Sequence, residues 1–297
     1  MRSEGEAGRA SEGSPEDVPL MKTSKDPTEF SWYFLLPCMI FLGLVFVYPI
    51  SFFLLRTFFD PHPSLMHVRH LFADPVFLKV YWITFKISFI VTFICLLLGY
   101  PIAYLLSEVS DRTRNLLLIL VLIPFWTSLL VRNYAWMVLL GRRGVFNNLL
   151  VQMGIVDAPL TLLHNTFAVT VGMAQMMTPF MVLALLSVMK GIDRGLVRVA
   201  ESLGANPFEA FLRIFVPLSL PGVGSGCLLV FIYSLGFFIT PALLGGRKDV
   251  MISVVIEEQV STLLNWGFAS ALSLMLLVAT LVFFLVYSRF FKIEQIG

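Results

Sequence analysis

The chain has 297 residues, 58% of them hydrophobic and 13% charged, with a formal net charge of +2. A soluble domain is about half apolar and about a quarter charged, so this apolar excess excludes an ordinary water-soluble fold and points to a bilayer. The small net charge and the lack of a long basic run exclude a nucleic-acid partner.

The first 30 residues are polar and rich in Glu, Ser, Gly and Pro. Such a segment cannot bury enough surface to order itself, so residues 1–30 read as a disordered tail before a membrane domain at 31–297. It lacks the apolar core and cleavage site of a signal peptide. A spanning helix needs about 20 mostly apolar residues. Six stretches qualify, at roughly 32–55, 81–107, 116–140, 167–190, 215–243 and 267–290. Backbone groups in lipid must be satisfied internally, so these runs predict helices, and strand-like alternation is absent. Pro37, Pro49, Pro101, Pro124, Pro179, Pro217, Pro221 and Pro241 invite kinks.

Cys38, Cys95 and Cys227 sit inside apolar runs and suggest neither disulfides nor a metal site. His62, His67 and His70 form a loose cluster, read as a solvated loop because no cysteine or carboxylate pair completes a ligand set. Lys and Arg near the helix ends favour a cytoplasmic N-terminus and, with six spans, a cytoplasmic C-terminus. The 108–115 and 190–213 connections carry the clearest basic bias.

The 190–213 connection is too polar to span, yet Ile192, Leu196, Val199, Ala200 and Leu203 recur at helical spacing. Asp193 can cap that short helix and Gly204 can end it. A second short helix can start after Asn206, with Pro207 at its first position and Phe208, Phe211 and Leu212 on its apolar face. Two readings fit such a pair: a docking surface for a partner, or interfacial helices lying on lipid headgroups.

The stretch from Val199 to Gly222 resembles the signature loop of permease subunits of binding-protein-dependent ABC importers, with Ala200, Gly204, Ile214, Val216 and Pro217 on the matching positions. Two positions depart from that signature: Arg198 stands where the family has Glu, and Val199 where it has Ala. Pro124–Trp136, Gly141–Asn148, Asp157–Thr161 with His164-Asn165, and Thr240–Gly246 with Met251-Ile252 resemble the polyamine branch, the spermidine and putrescine permeases.

The resemblance implies an all-α integral membrane protein of the bacterial inner membrane, with six transmembrane helices and the type I ABC importer permease fold. Its short coupling helices at 190–213 would dock a separate ABC ATPase through Asp193, Arg198, Ala200, Glu201, Gly204, Ala205, Asn206, Phe208 and Pro217. It further implies a second permease subunit and a periplasmic substrate-binding protein. ATP and Mg would be bound by the ATPase, and this chain would hold no cofactor or metal and perform no catalysis. The sequence agrees in having no Gly-x-x-x-x-Gly-Lys-Ser/Thr phosphate loop.

A polyamine is a flexible polycation, held by carboxylates and aromatic faces. Trp126, Tyr134, Trp136, Tyr233, Phe237, Glu257 and Glu258 are the candidate pathway residues, and each aromatic also fits ordinary packing or interface anchoring. Arg132, near the end of the third span, can snorkel. Lys86 is the main charge expected within the membrane. A permease for another small amino compound and a self-contained secondary transporter are the alternative readings. An intramembrane enzyme would need a catalytic constellation inside the spans, which the sequence does not contain.

Overall fold

A computed structural model describes residues 27–59 and 65–290. Most of the expected tail lies outside the described residues, as do His62, Lys22, Lys25 and Lys292. Contacts within the chain define two units, Met1–Ser51 and Phe52–Gly297.

In the first unit, α1 (Pro27–Leu42) passes through a π-helical turn at Gly43–Val47 into α2 (Tyr48–Phe59), which carries the chain into the second. Leu35–Phe59 is long and apolar enough to cross a membrane. Its large side chains from Leu35 to Ile50 are exposed, which lipid favours and water would not.

The second unit holds α3 (Met66–Ala73), α4 (Pro75–Glu108), α5 (Asp111–Leu122), α6 (Leu129–Leu140) and α7 (Val145–Gln152). They are followed by α8 (Thr166–Met189), α9 (Arg194–Ser202), α10 (Pro207–Ala210), α11 (Val216–Leu235), α12 (Ile239–Leu244), α13 (Ile252–Ser261) and α14 (Trp266–Phe290). Among the described residues there is no strand.

At the centre stands α8, packed against both α4 and α11. Its most apolar window is 67% buried, against 22% for α14, so α8 is the core helix. Met173, Met177, Met181 and Leu185 interdigitate with Val91, Cys95 and Ala103 of α4 and with Val230 of α11. Close approach of α11 depends on Gly222 and Gly226, one turn apart. A Cβ on Gly226 would fall 2.7 Å from Met181 Sδ, and one on Gly222 would fall 3.0 Å from Val188 Cβ. Lipid tails are as apolar as leucine, so small residues that admit close van der Waals packing drive such pairing.

A second cluster joins α3, α4, α13 and α14 through Leu71, Tyr81, Ile252, Phe268 and Leu272. The Tyr81 hydroxyl donates to the Leu272 carbonyl at 2.5 Å, and the Ile252 amide donates to Thr84 Oγ1 at 2.8 Å. His70 stacks edge-on to Phe268 with ring centroids 5.1 Å apart, and His67 is buried beside the same ring.

Among the described residues five helices are long and apolar enough to span, or six if one bent pair counts as a single span. That pair corrects the expected continuous helix at 116–140: Asp111–Trp126 and Leu129–Gln152 lie 90° apart. The break has a local cause. A tight 3-10 turn at Ile123–Trp126 contains Pro124, whose carbonyl accepts from both the amide (3.2 Å) and the hydroxyl (2.8 Å) of Thr127. The expected 215–243 run is likewise divided, because α11 stops at Gly236. Ser253 Oγ donates to the Phe237 carbonyl at 2.7 Å, satisfying a group freed by that interruption.

Both π-helical turns, Gly43–Val47 and Phe211–Phe215, end two residues before a proline, Pro49 and Pro217. A proline ring collides with the carbonyl four residues back, and a widened turn relieves that clash.

Candidate coupling loop and pathway face

The 190–213 connection folds as two short capped helices. The Asp193 carboxylate accepts from the Gly195 amide at 2.7 Å and starts α9. Gly204, at φ +96°, ends it in the left-handed region. The Ala205 amide then donates to the Ala200 carbonyl at 3.1 Å and the Gly204 amide to the Glu201 carbonyl at 3.0 Å. These are the paired closing bonds of a glycine-terminated helix. Asn206 Oδ1 accepts from the Glu209 amide at 2.8 Å and starts α10, and Glu209 pairs with Arg213 at 2.9 Å.

The loop presents apolar side chains outward: Leu203 is 84% and Phe208 71% exposed, with Leu196 and Val199 also exposed. Arg198 and Glu201 are exposed beside them, Ala200 is half-buried, and Pro217 is exposed at the foot of α11. Two open clefts border the loop. One of about 470 Å³ is lined by Tyr104, Glu108, Arg194, Arg198, Glu201 and Phe211. The other, about 480 Å³, lies between α9 and α10 around Ala200, Gly204, Ala205 and Arg213.

The expected pathway residues do not gather at one point. Trp126, at the 90° break, is 89% exposed, and Tyr134 is exposed on α6. Trp136 donates from Nε1 to Gln175 Oε1 at 2.7 Å and stacks on Phe146 with centroids 6.3 Å apart, so its indole is tied into packing. Tyr233 and Phe237 belong to a run of ring contacts, Phe125–Phe180–Tyr233–Phe237, at 5.0, 5.3 and 5.9 Å. Phe125, Phe180 and Gln175 were not among the expected pathway residues. Their spacing carries no signal, and only the α8 contacts bring them in. Glu257 lines a cavity of about 400 Å³ with Gly236, Phe238 and Ser253, Glu258 is not among its lining residues, and both carboxylates are exposed.

Arg132 is half-buried, and among the described residues its Nε has no hydrogen-bond partner. Lys86 stands 22 residues from Glu108 on α4, which is roughly 33 Å of helix, a full hydrocarbon thickness. It is exposed on that helix and lies inside the candidate span Pro75–Glu108.

The described residues form an all-helical membrane unit with a break-interrupted set of spans and a polar two-helix loop. A crystal structure of a bacterial alginate ABC transporter, in complex with an alginate pentasaccharide-bound periplasmic protein, shares its fold. The TM-score is 0.71 at 20% identity, over 91% of this chain and 97% of that one.

Residues 30–293 match the family of binding-protein-dependent transport system inner membrane components, and the chain belongs to it. It is 37% identical to the spermidine/putrescine transport system permease protein PotB of Haemophilus influenzae, over 88% of this chain and 90% of that protein. It is 36% identical to PotB of Escherichia coli K12, over 73% and 78% respectively. Membership sets the self-contained secondary transporter aside and makes the chain a transport component rather than an enzyme.

Proposed function

We propose that this chain forms half of the transmembrane path of an ATP-driven importer for a small cationic amino compound of the spermidine or putrescine kind. A periplasmic binding protein delivers the substrate, a second and different permease completes the path, and two ATPase subunits carry ATP and Mg. Both termini and the α9–α10 loop face the cytoplasm. The observation that carries this reading is the loop itself. It is capped at each start, closed by a left-handed glycine, and turned apolar side outward next to exposed Arg198 and Glu201. A helix pair stabilised by its own caps while exposing Leu203 and Phe208 fits a groove in a partner.

Selectivity rests mainly with the binding protein. Among the described residues the acids of the spanning helices lie near their ends, Glu108, Asp111 and Glu209, and the aromatic run Phe125–Phe180–Tyr233–Phe237 offers ring faces without a buried carboxylate. Ring faces attract an ammonium by roughly 0.5–2 kcal/mol each, enough for passage without tight capture.

Copurification of the tagged chain with its genomic neighbours, then ATPase assay in nanodiscs, tests the proposal. An ATPase should be recovered, lost with Gly204→Asp, and stimulated by a binding protein loaded with polyamine. Glu257→Gln and Glu258→Gln should leave uptake within about twofold of the parent, a difference of roughly 0.4 kcal/mol. Recovery of no ATPase would refute the importer, and loss of uptake on neutralising Glu257 would move recognition into this chain.

A further inference from the structure

Within the α9 region, Arg194 differs from its neighbours in what it holds. Its guanidinium forms an ion pair with Glu108 and donates from Nη2 to Ser107 Oγ at 2.6 Å, both at the last turn of α4. The same group lies over two rings, 4.5 Å from the centroid of Phe215 and 5.5 Å from that of Tyr104. Phe215 is fully buried at the foot of α11 and stacks on Phe211 at 5.5 Å, and Tyr104 contacts both rings edge-on at 5.2 and 5.1 Å. One turn further up, Tyr100 and Ser219 share a hydrogen bond of 2.8 Å between α4 and α11. The first residue of α9 is therefore joined to the ends of two core helices, and Arg194, Glu108, Tyr104 and Phe215 all line the open cleft of about 470 Å³ beside the loop.

We propose that Arg194 is a positioning residue that transmits movement of the α9–α10 loop to α4 and α11, with Glu108, Tyr104 and Phe215 as its seat. This rests on the importer reading above. A planar guanidinium suits the task because it pairs with a carboxylate in its plane while its faces lie on rings, which an ammonium cannot reproduce. Arg194 is only partly exposed, with 28% of its side chain accessible, so the pair is screened less than a surface ion pair. The exposed apolar side chains that would meet the ATPase, Leu196, Leu203 and Phe208, are other residues. Loss of Arg194 should therefore uncouple the machine without detaching its motor.

The test uses the full complex in proteoliposomes, measuring substrate taken up per ATP hydrolysed for the parent, Arg194→Gln, Arg194→Lys, Glu108→Gln and the Arg194→Gln/Glu108→Gln double variant. The expected result is ATPase recovery as in the parent, with uptake per ATP reduced roughly 2- to 30-fold in each glutamine variant. The double variant should be no worse than the poorer single one, because the two groups act as a unit. Arg194→Lys keeps the charge and should fall between parent and Arg194→Gln. Unchanged uptake per ATP in Arg194→Gln, or single losses that multiply in the double variant, would overturn the latch while leaving the importer intact. Should Arg194→Gln fail to assemble, Arg194→Lys decides: a parent-like ratio overturns the proposal and a reduced one supports it. Absence of an ATPase from the parent complex would instead sink the importer reading itself.

Discussion

At the scale of single residues, the coupling loop is held by side chains that answer orphan backbone groups. Asp193 and Asn206 each accept from an amide two or three residues on, at 2.7 and 2.8 Å. A helix of nine residues has too few internal bonds to be stable alone, so its caps contribute a large fraction of its order. Asp193→Ala and Asn206→Ala should each cost about 1 kcal/mol of local stability. Hydrogen exchange should report this as roughly fivefold faster exchange at the Gly195 and Glu209 amides respectively, with α8 unchanged. Equal acceleration along α8 would show that the caps stabilise the whole domain instead. These caps were legible from sequence, because an Asp or Asn before a short apolar period has few other local uses. Arg194 was not. Its charge resembles that of Arg198 four residues later, and nothing in the local pattern tells which of the two turns inward to Glu108 and Phe215.

At the scale of elements, hydropathy identified where apolar chain lies but not its direction. The runs at 81–107, 167–190 and 267–290 correspond to α4, α8 and α14, since each is one uninterrupted helix. The 116–140 run is as apolar and yet turns through 90°, because Pro124 and Thr127 close a tight turn whose bonds hydropathy cannot see. The same limit hid the stop of α11 at Gly236. Pairing of elements was also illegible: Gly222 and Gly226 appear in sequence as loose glycines, and only the approach of Met181 and Val188 gives them a role. Gly226→Leu should push α11 away from α8 and destabilise the domain by about 1–3 kcal/mol. Thermal unfolding in nanodiscs, followed by tryptophan fluorescence, should show a lowered midpoint. Gly43→Leu offers the control, since open space surrounds that position. An unchanged midpoint for Gly226→Leu would mean that α8 and α11 are not held by close packing.

At the scale of the whole molecule, the distribution of charge decides which way the chain crosses the membrane. Basic residues cluster where the chain leaves α4 and enters α9: Arg112, Arg114, Lys190, Arg194 and Arg198 all belong to these two connections. The structure joins them, since Asp111 pairs with Arg114 and approaches Lys190 at 4.0 Å while Arg194 pairs with Glu108. The α4–α5 and α8–α9 connections therefore lie side by side in the second unit, and short basic connections are retained on the cytoplasmic side during insertion. The segment from α12 to α14 carries Glu257 and Glu258 within α13 and Arg247 and Lys248 just before it, so the bias rests on the α4–α5 and α8–α9 connections. In the proposed orientation Ser202 would face the cytoplasm and Ser261 the outside, and both are exposed. In a chain whose three native cysteines are replaced, Ser261→Cys should react with a membrane-impermeant maleimide added to intact cells. Ser202→Cys should react only after the membrane is opened, or in inside-out vesicles. The reverse pattern would place the α9–α10 loop where no ATPase can reach it, and the coupling role of that loop would fall with it.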